Sequence, residues 1–242
     1  NAEDIKEECE THIPMLPFTV DEFYESQGEV GVSQATARIN QGFGILNHAD
    51  HTNYYAWGVG SGSMTRSDID SLTNGDEQSV MYSIGCYSAA IEYDCCAERF
   101  LNNPAGGGVA YIGNSRYGWY LIGNAARLGG DLDEEFYISL FSRGLDNLGK
   151  AHADAKDQWV DDASGLFYGP YYKYTILELN LLGDPEMPIW TDNISEMDAT
   201  HLNTIPLGAS EFTVTVTEND GTPIEGALVC CMMDDFSVYE KG

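Results

Sequence analysis

A thiol and an imidazole stand behind two separate apolar runs. Cys86 follows Val80-Met81-Tyr82-Ser83-Ile84-Gly85, and His48 and His51 follow Phe43-Gly44-Ile45-Leu46. A cysteine nucleophile needs a base within reach, and the two meet in space rather than in sequence. Both runs read as strands, and sites in open parallel sheets form at the carboxyl ends of strands. If these strands are neighbours, ring and thiol face one crevice, where the base draws off the thiol proton and leaves the reactive thiolate. Taken singly, Cys86 reads as a small buried side chain and each histidine as an ordinary hydrogen-bonded residue. His48-x-x-His51 with Cys86 could instead hold zinc, but no further ligand stands at metal-like spacing.

The elements that must position these groups follow from pattern. Residues 1–28 are acidic, carry Pro14 and Pro17, and read as an irregular leading segment. Ser33 through Asn40 reads as a short helix with Ser33 as its cap, and 52–65, rich in Gly, Ser, Asn and Tyr, reads as a loop. Thr65-x-x-Asp68 resembles a capping box. Val80–Ile84 is a strand, Ala89–Leu101 a helix, and Val109–Ile112 a third strand after Gly106-Gly107-Gly108. Helices are expected over about 132–151, from the spacing of Phe136, Leu140, Phe141, Leu145 and Leu148, and over about 171–182. Strand–helix alternation predicts an α/β fold with an open, mostly parallel sheet flanked by helices. After Trp190 the texture changes: Phe212–Thr217 alternates with period two, and Ala227–Met233 reads as another strand. This tail is expected to begin a β-sandwich.

Composition narrows the partners. The chain has 242 residues, 43% of them hydrophobic, enough for one large or two modest domains. The 39 acidic against 11 basic residues give a net charge of -28, which argues against nucleic acid, whose phosphates need a basic face. No apolar stretch is long enough to span a membrane, and no signal peptide is recognisable. The chain opens without Met and closes in a strand-like stretch, so both ends read as cuts through a longer polypeptide. The 6 cysteines are too few for a disulfide scaffold, and no CxxC pair suggests a zinc ribbon. Asn193-Ile194-Ser195 is a glycosylation sequon. The acidic run Asp131-Leu132-Asp133-Glu134-Glu135 suits a helix N-terminus, with structural calcium as the alternative.

A set of segments carries a family resemblance. They are Ile39-Asn40-Gln41-Gly42-Phe43-Gly44-Ile45-Leu46-Asn47-His48-Ala49-Asp50-His51, Ala56-Trp57-Gly58, Ser83-Ile84-Gly85-Cys86-Tyr87-Ser88, and Cys96-Ala97-Glu98-Arg99-Phe100. Gly107 through Trp119 and Asn180-Leu181-Leu182-Gly183-Asp184-Pro185 complete it. Together they resemble the catalytic subdomain of the gingipain-type cysteine peptidases (peptidase family C25), which are related to caspases and legumain. The resemblance covers about 40–190 and implies a caspase-like subdomain over 1–195, lacking its upstream part, and a truncated immunoglobulin-like domain over 205–242.

It also implies roles. His51, six residues before Trp57, takes the acid/base role, with His48 as the alternative; Cys86 takes the nucleophile role and its backbone amide half of the oxyanion hole. The family has Gly after the histidine where this chain has Thr52, so Thr52 would supply the other half. Trp119 would wall the pocket for the residue before the scissile bond, with Asn114, Ser115 and Gly118 in its loop and Arg116 beside it. The carboxylate that orients the histidine would fall before or near residue 1, leaving Glu3, Asp4 and Asp50 as local candidates. The implied protein is a secreted or cell-surface cysteine endopeptidase acting on polypeptides. It needs no organic cofactor, and its partner is a propeptide or an upstream chain of the same precursor. A non-catalytic, peptide-binding relative of the same fold is the alternative.

Overall fold

The computed structural model describes residues 2–28, 30–191, 196–204, 208, 211–232 and 239–241. The chain forms two compact units, 1–192 and 193–242. The first begins with helix α1 (Ala2–Glu10), where an irregular segment was expected. Ile5 and Cys9 lie one turn apart and make its buried face, and Glu3 and Asp4 occupy the first turn, where the helix dipole favours acids. Helix α2 (Val32–Ile39) is capped by Gly31 rather than Ser33, buries Ala35 and Ile39, and leads into β1 (Ile45–His48).

The expected loop over 52–65 is a three-stranded antiparallel meander: β2 (Thr52–Asn53), β3 (Ala56–Val59) and β4 (Gly62–Thr65). Its cause is the cross-strand pair Trp57 and Met64, both fully buried, whose packing outweighs the weak strand propensity around them. The Thr65–Asp68 capping box is formed and starts α3 (Arg66–Asp70). β5 (Ser79–Ser83) follows.

Of the helix expected over 89–101, only α4 (Cys96–Leu101) is helical. The Glu98 carboxylate turns back to the Cys95 amide at 3.1 Å and starts the helix there. The Ala89 amide instead donates to the carbonyl of Asn114, the last residue of β6 (Gly108–Asn114). The long helix expected next is divided into α5 (Gly129–Tyr137), a π-helical turn (Ile138–Ser142) and α6 (Leu148–Asp157). Gly144, at a φ of +67°, and the Asn147 side chain, which caps the Lys150 amide at 3.3 Å, separate them. The helix expected over 171–182 is α7 (Gly169–Glu178) running directly into a strand, β7 (Leu179–Leu182).

The central sheet has the order β1-β5-β6-β7, with the first three parallel and β7 antiparallel at the edge. It is the expected α/β architecture with a mostly parallel open sheet. Alternate residues feed two cores. Val80, Tyr82, Ala110 and Ile112 pack with Ile5, Leu132 and Phe136, and Met81 and Tyr111 pack with Trp57, Ile69 and Phe100 on the other face.

In the second unit, β8 (Met197–His201) pairs antiparallel with β9 (Val214–Glu218), and β10 (Cys230–Met232) with β11 (Tyr239–Lys241). The described residues show two two-stranded ladders and do not show an immunoglobulin-like sandwich. The sequon at 193–195 and the end of the strand expected over 227–233 lie outside the described residues. Among the described residues no helix is long and apolar enough to cross a membrane.

Candidate active site

Register decides where the reactive residues go. β1 and β5 are adjacent and parallel, with His48 opposite Ser83, so the chain leaves both strands at one sheet edge. Ala49-Asp50-His51-Thr52 emerges from β1 and Ile84-Gly85-Cys86 from β5. The two loops interlock. The Thr52 hydroxyl donates to the Cys86 carbonyl, and any side chain at Gly85 would collide with Thr52 and with the Asp50 carbonyl. Residue 85 must therefore lack a Cβ for the two loops to close on each other.

Cys86 is half-buried. The next residue, Tyr87, sits in the left-handed region at a φ of +55°, uncommon outside glycine, so the chain turns sharply just after the thiol. The Tyr87 amide donates to the Arg116 carbonyl at 2.6 Å, and the Gly118 amide donates to the Cys86 sulfur at 3.3 Å. The Cys86 sulfur also lies 3.9 Å from the Gly118 carbonyl, so the whole Gly118 peptide flanks it. Asn114 steadies the same turn, its amide donating to the carbonyls of Ile84 at 2.9 Å and Gly85 at 3.3 Å.

The two histidines separate clearly. His48 is half-buried, and both ring nitrogens are engaged: Nε2 with the Gly58 carbonyl at 2.9 Å and Nδ1 with the Ser83 hydroxyl at 2.9 Å. A carbonyl only accepts, so the proton is on Nε2, and Nδ1 accepts from Ser83. Burial lowers the His48 pKa, opposed by the Gly58 hydrogen bond. Ser83 Oγ in turn accepts from the Gly85 amide at 3.4 Å. His48 thus ties β1, β3 and β5 to the nucleophile turn and has no ring nitrogen left for Cys86. His51 is exposed, and among the described residues its ring has no hydrogen-bond partner. Its backbone is fixed, the amide by Asp50 Oδ1 at 2.6 Å and the carbonyl by the Gly58 amide at 2.6 Å.

Of the candidate orienting carboxylates, Asp50 holds the His51 amide and Glu3 accepts from the Ser26 amide at 3.0 Å. The Asp50 contact is thus with the His51 main chain rather than its ring. Every carboxylate of the α5 acidic run has a protein partner: Asp131 has Arg127 and Tyr172, Asp133 has Lys6 and Asn47, Glu134 has His12, and Glu135 has Arg143. Among the described residues no group of three or more His, Cys, Asp or Glu could hold a metal ion.

Trp119 stands beside the nucleophile turn, half-buried, its ring 5.2 Å from that of Tyr171 and 6.0 Å from those of Tyr174 and Tyr117. Its indole Nε1 donates to Glu178 Oε2 at 3.3 Å. Burial raises the Glu178 pKa, with the indole and Arg116 pulling the other way. Ser115 is engaged elsewhere: its amide and hydroxyl donate to the Glu178 carbonyl at 2.7 and 3.2 Å, and its Oγ accepts from Asn180 at 3.1 Å. Arg116 forms an ion pair with Glu92. Pattern alone missed Ser83 and Glu178. The first looked like one more strand residue, and the second was hidden inside a helix read too long.

A thiol and an exposed imidazole thus stand at the carboxyl ends of adjacent parallel strands of an open α/β sheet. The chain belongs to peptidase family C25, whose profile it matches over residues 1–190. No curated protein sequence matches it significantly. Among solved structures it is similar to the Arg-specific cysteine proteinase gingipain R (RgpB), at 18% identity and a TM-score of 0.59 over 76% of this chain and 42% of that one. It is likewise similar to the complex of Porphyromonas gingivalis RgpB pro- and mature domains, at 18% and 0.59 over 79% and 47%. A third similar structure, described only as a protease, gives 16% and 0.55 over 77% and 46%. The chain thus spans less than half the length of these structures.

Proposed function

We propose that this chain is a cysteine endopeptidase in which Cys86 is the nucleophile and His51 the acid/base. His51 takes the thiol proton and the thiolate attacks a peptide carbonyl. The oxyanion is met by the backbone amides of Cys86 and Thr52. Protonated His51 returns the proton to the leaving amine, which leaves a thioester on Cys86. A water, deprotonated by His51, then frees the acid product and restores the thiol. The observation that carries this reading is the interlock of the two loops: Thr52 bonds Cys86, so His51 stands one residue from a contact with the nucleophile.

Trp119, backed by Tyr171 and Tyr174, walls the pocket for the side chain before the scissile bond. Arg116 is paired with Glu92 and lends that pocket no free charge. RgpB is described with separate pro- and mature domains, and a propeptide or upstream chain of the same precursor is the partner proposed here. The proposed setting is secreted or cell-surface.

A peptidyl acyloxymethyl ketone should label Cys86 and stop peptide cleavage, and Cys86→Ala should abolish both. A folded protein that neither labels nor cleaves is a peptide-binding scaffold, and cleavage that survives alkylation but not a chelator belongs to a metal-dependent hydrolase. Gly118→Ala gives a second check. A Cβ there would collide with the Ile84 carbonyl, a backbone atom that cannot swing aside. The amide should leave the sulfur and kcat/KM should fall about 10²-fold, the usual scale for a misplacement near 1 Å. An unchanged kcat/KM would deny the Gly118 contact any role.

A further inference from the structure

We propose that Glu178 is a positioning residue for the nucleophile, holding the 115–119 strap so that the Gly118 amide stays on the Cys86 sulfur. The inference rests on reading Cys86 as a reactive thiol. Both ends of the strap are fastened to this one residue. At one end the Ser115 amide and hydroxyl donate to the Glu178 carbonyl at 2.7 and 3.2 Å. At the other the Trp119 indole donates to the Glu178 carboxylate at 3.3 Å. Gly118 lies between these anchors, pressed against the Ile84 carbonyl on its inner side, with its amide 3.3 Å from the sulfur. Tyr174 stacks on the Trp119 ring and Tyr171 meets it tilted, and the hydrogen bond to the carboxylate fixes the indole edge as well. The anchor needs an acceptor oxygen at this position, which a carboxylate or an amide can supply.

The Glu178 side chain is replaceable without touching the main-chain anchor, since Ser115 and Asn180 both hold the carbonyl. That makes the role separable from folding. The experiment follows the rate of Cys86 alkylation by iodoacetamide, read by mass spectrometry of the Cys86 peptide because Cys230 is also exposed. In Glu178→Ala the rate at pH 7 should fall about fivefold, while the buried Cys9 and Cys96 stay as unreactive as in the parent. Trp119→Phe, which keeps the ring and loses the donor, should give the same pattern, and the double variant should be no slower than either single one. Glu178→Gln keeps an acceptor oxygen and should recover most of the parent rate. An unchanged rate at pH 7, new labelling of Cys9 or Cys96 that marks general loosening, or additive effects in the double variant would overturn the role. Alkylation is scored whether or not the parent cleaves peptides, so failure of the peptidase reading shows in the cleavage assay alone.

Discussion

Exchanging His51 for alanine should lower kcat by about 10²–10⁴ and leave the fold as stable as before, whereas exchanging His48 should chiefly cost stability. The first figure is what a positioned general acid/base contributes. The exposed His51 ring has no hydrogen-bond partner among the described residues, so its loss should change stability by no more than about 0.5 kcal/mol. His48→Ala strands the Ser83 hydroxyl and the Gly58 carbonyl inside the protein, at about 1–3 kcal/mol for each unmet group. The pH dependence has the same origin. Burial lowers the pKa of His48, and burial with Lys156 nearby holds His152 down to about 3. Below the ordinary histidine pKa of about 6.5 the unfolded chain therefore binds protons that the folded one refuses, and stability falls on acidification. His48→Gln should flatten that slope. Peptide turnover and thermal unfolding from pH 5 to 8 separate the two histidines; a silent His51→Ala would move the base elsewhere.

What could be read ahead of the structure divides along physical lines. The runs over β5 and β6 were legible because strands buried on both faces are rich in apolar residues, and the thiol stands just after the first of them. The meander over 52–65 was not, because Trp57 and Met64 acquire their meaning only when paired across β3 and β4. The junction of α7 and β7 carries no Gly or Pro; the helix stops because Leu179 pairs with Asn114 of β6. The same limit applied at the site. That His51 rather than His48 remains free depends on Ser83 and Gly58, which lie 35 and 10 residues from His48 in the chain. Glu178 stayed hidden because its work is done through an indole 59 residues away. Local pattern shows where a strand ends, and long-range hydrogen bonds choose which of the residues gathered there is available.

Lys6→Met should destabilise the first unit by about 3–5 kcal/mol, the usual result of breaking a buried ion pair from one side. Lys6 of α1 reaches Asp133 of α5, with side-chain exposures of 11% and 0%, and also bonds Asn47 of β1. Asn47 donates to the other Asp133 oxygen at 3.0 Å, so three elements meet on one buried carboxylate. Burial raises the Asp133 pKa while Lys6 and Asn47 oppose it, and burial keeps the neighbouring Cys9 thiol protonated by pushing its pKa far up. Without Lys6 the opposition weakens and Asp133 takes up a proton on folding. The variant's stability should then fall as pH rises through the raised folded pKa and recover on acidification, because the folded state binds the extra proton. Adding Asp133→Asn should restore most of the loss by removing the stranded charge. Urea midpoints at pH 5 and 7.5 for the parent and both variants measure this, and a Lys6→Met cost below about 1 kcal/mol would show that the pair is solvent-screened. The consequence reaches the site, because Asn47 directly precedes His48, and what holds Asn47 holds the strand from which the His51 loop departs.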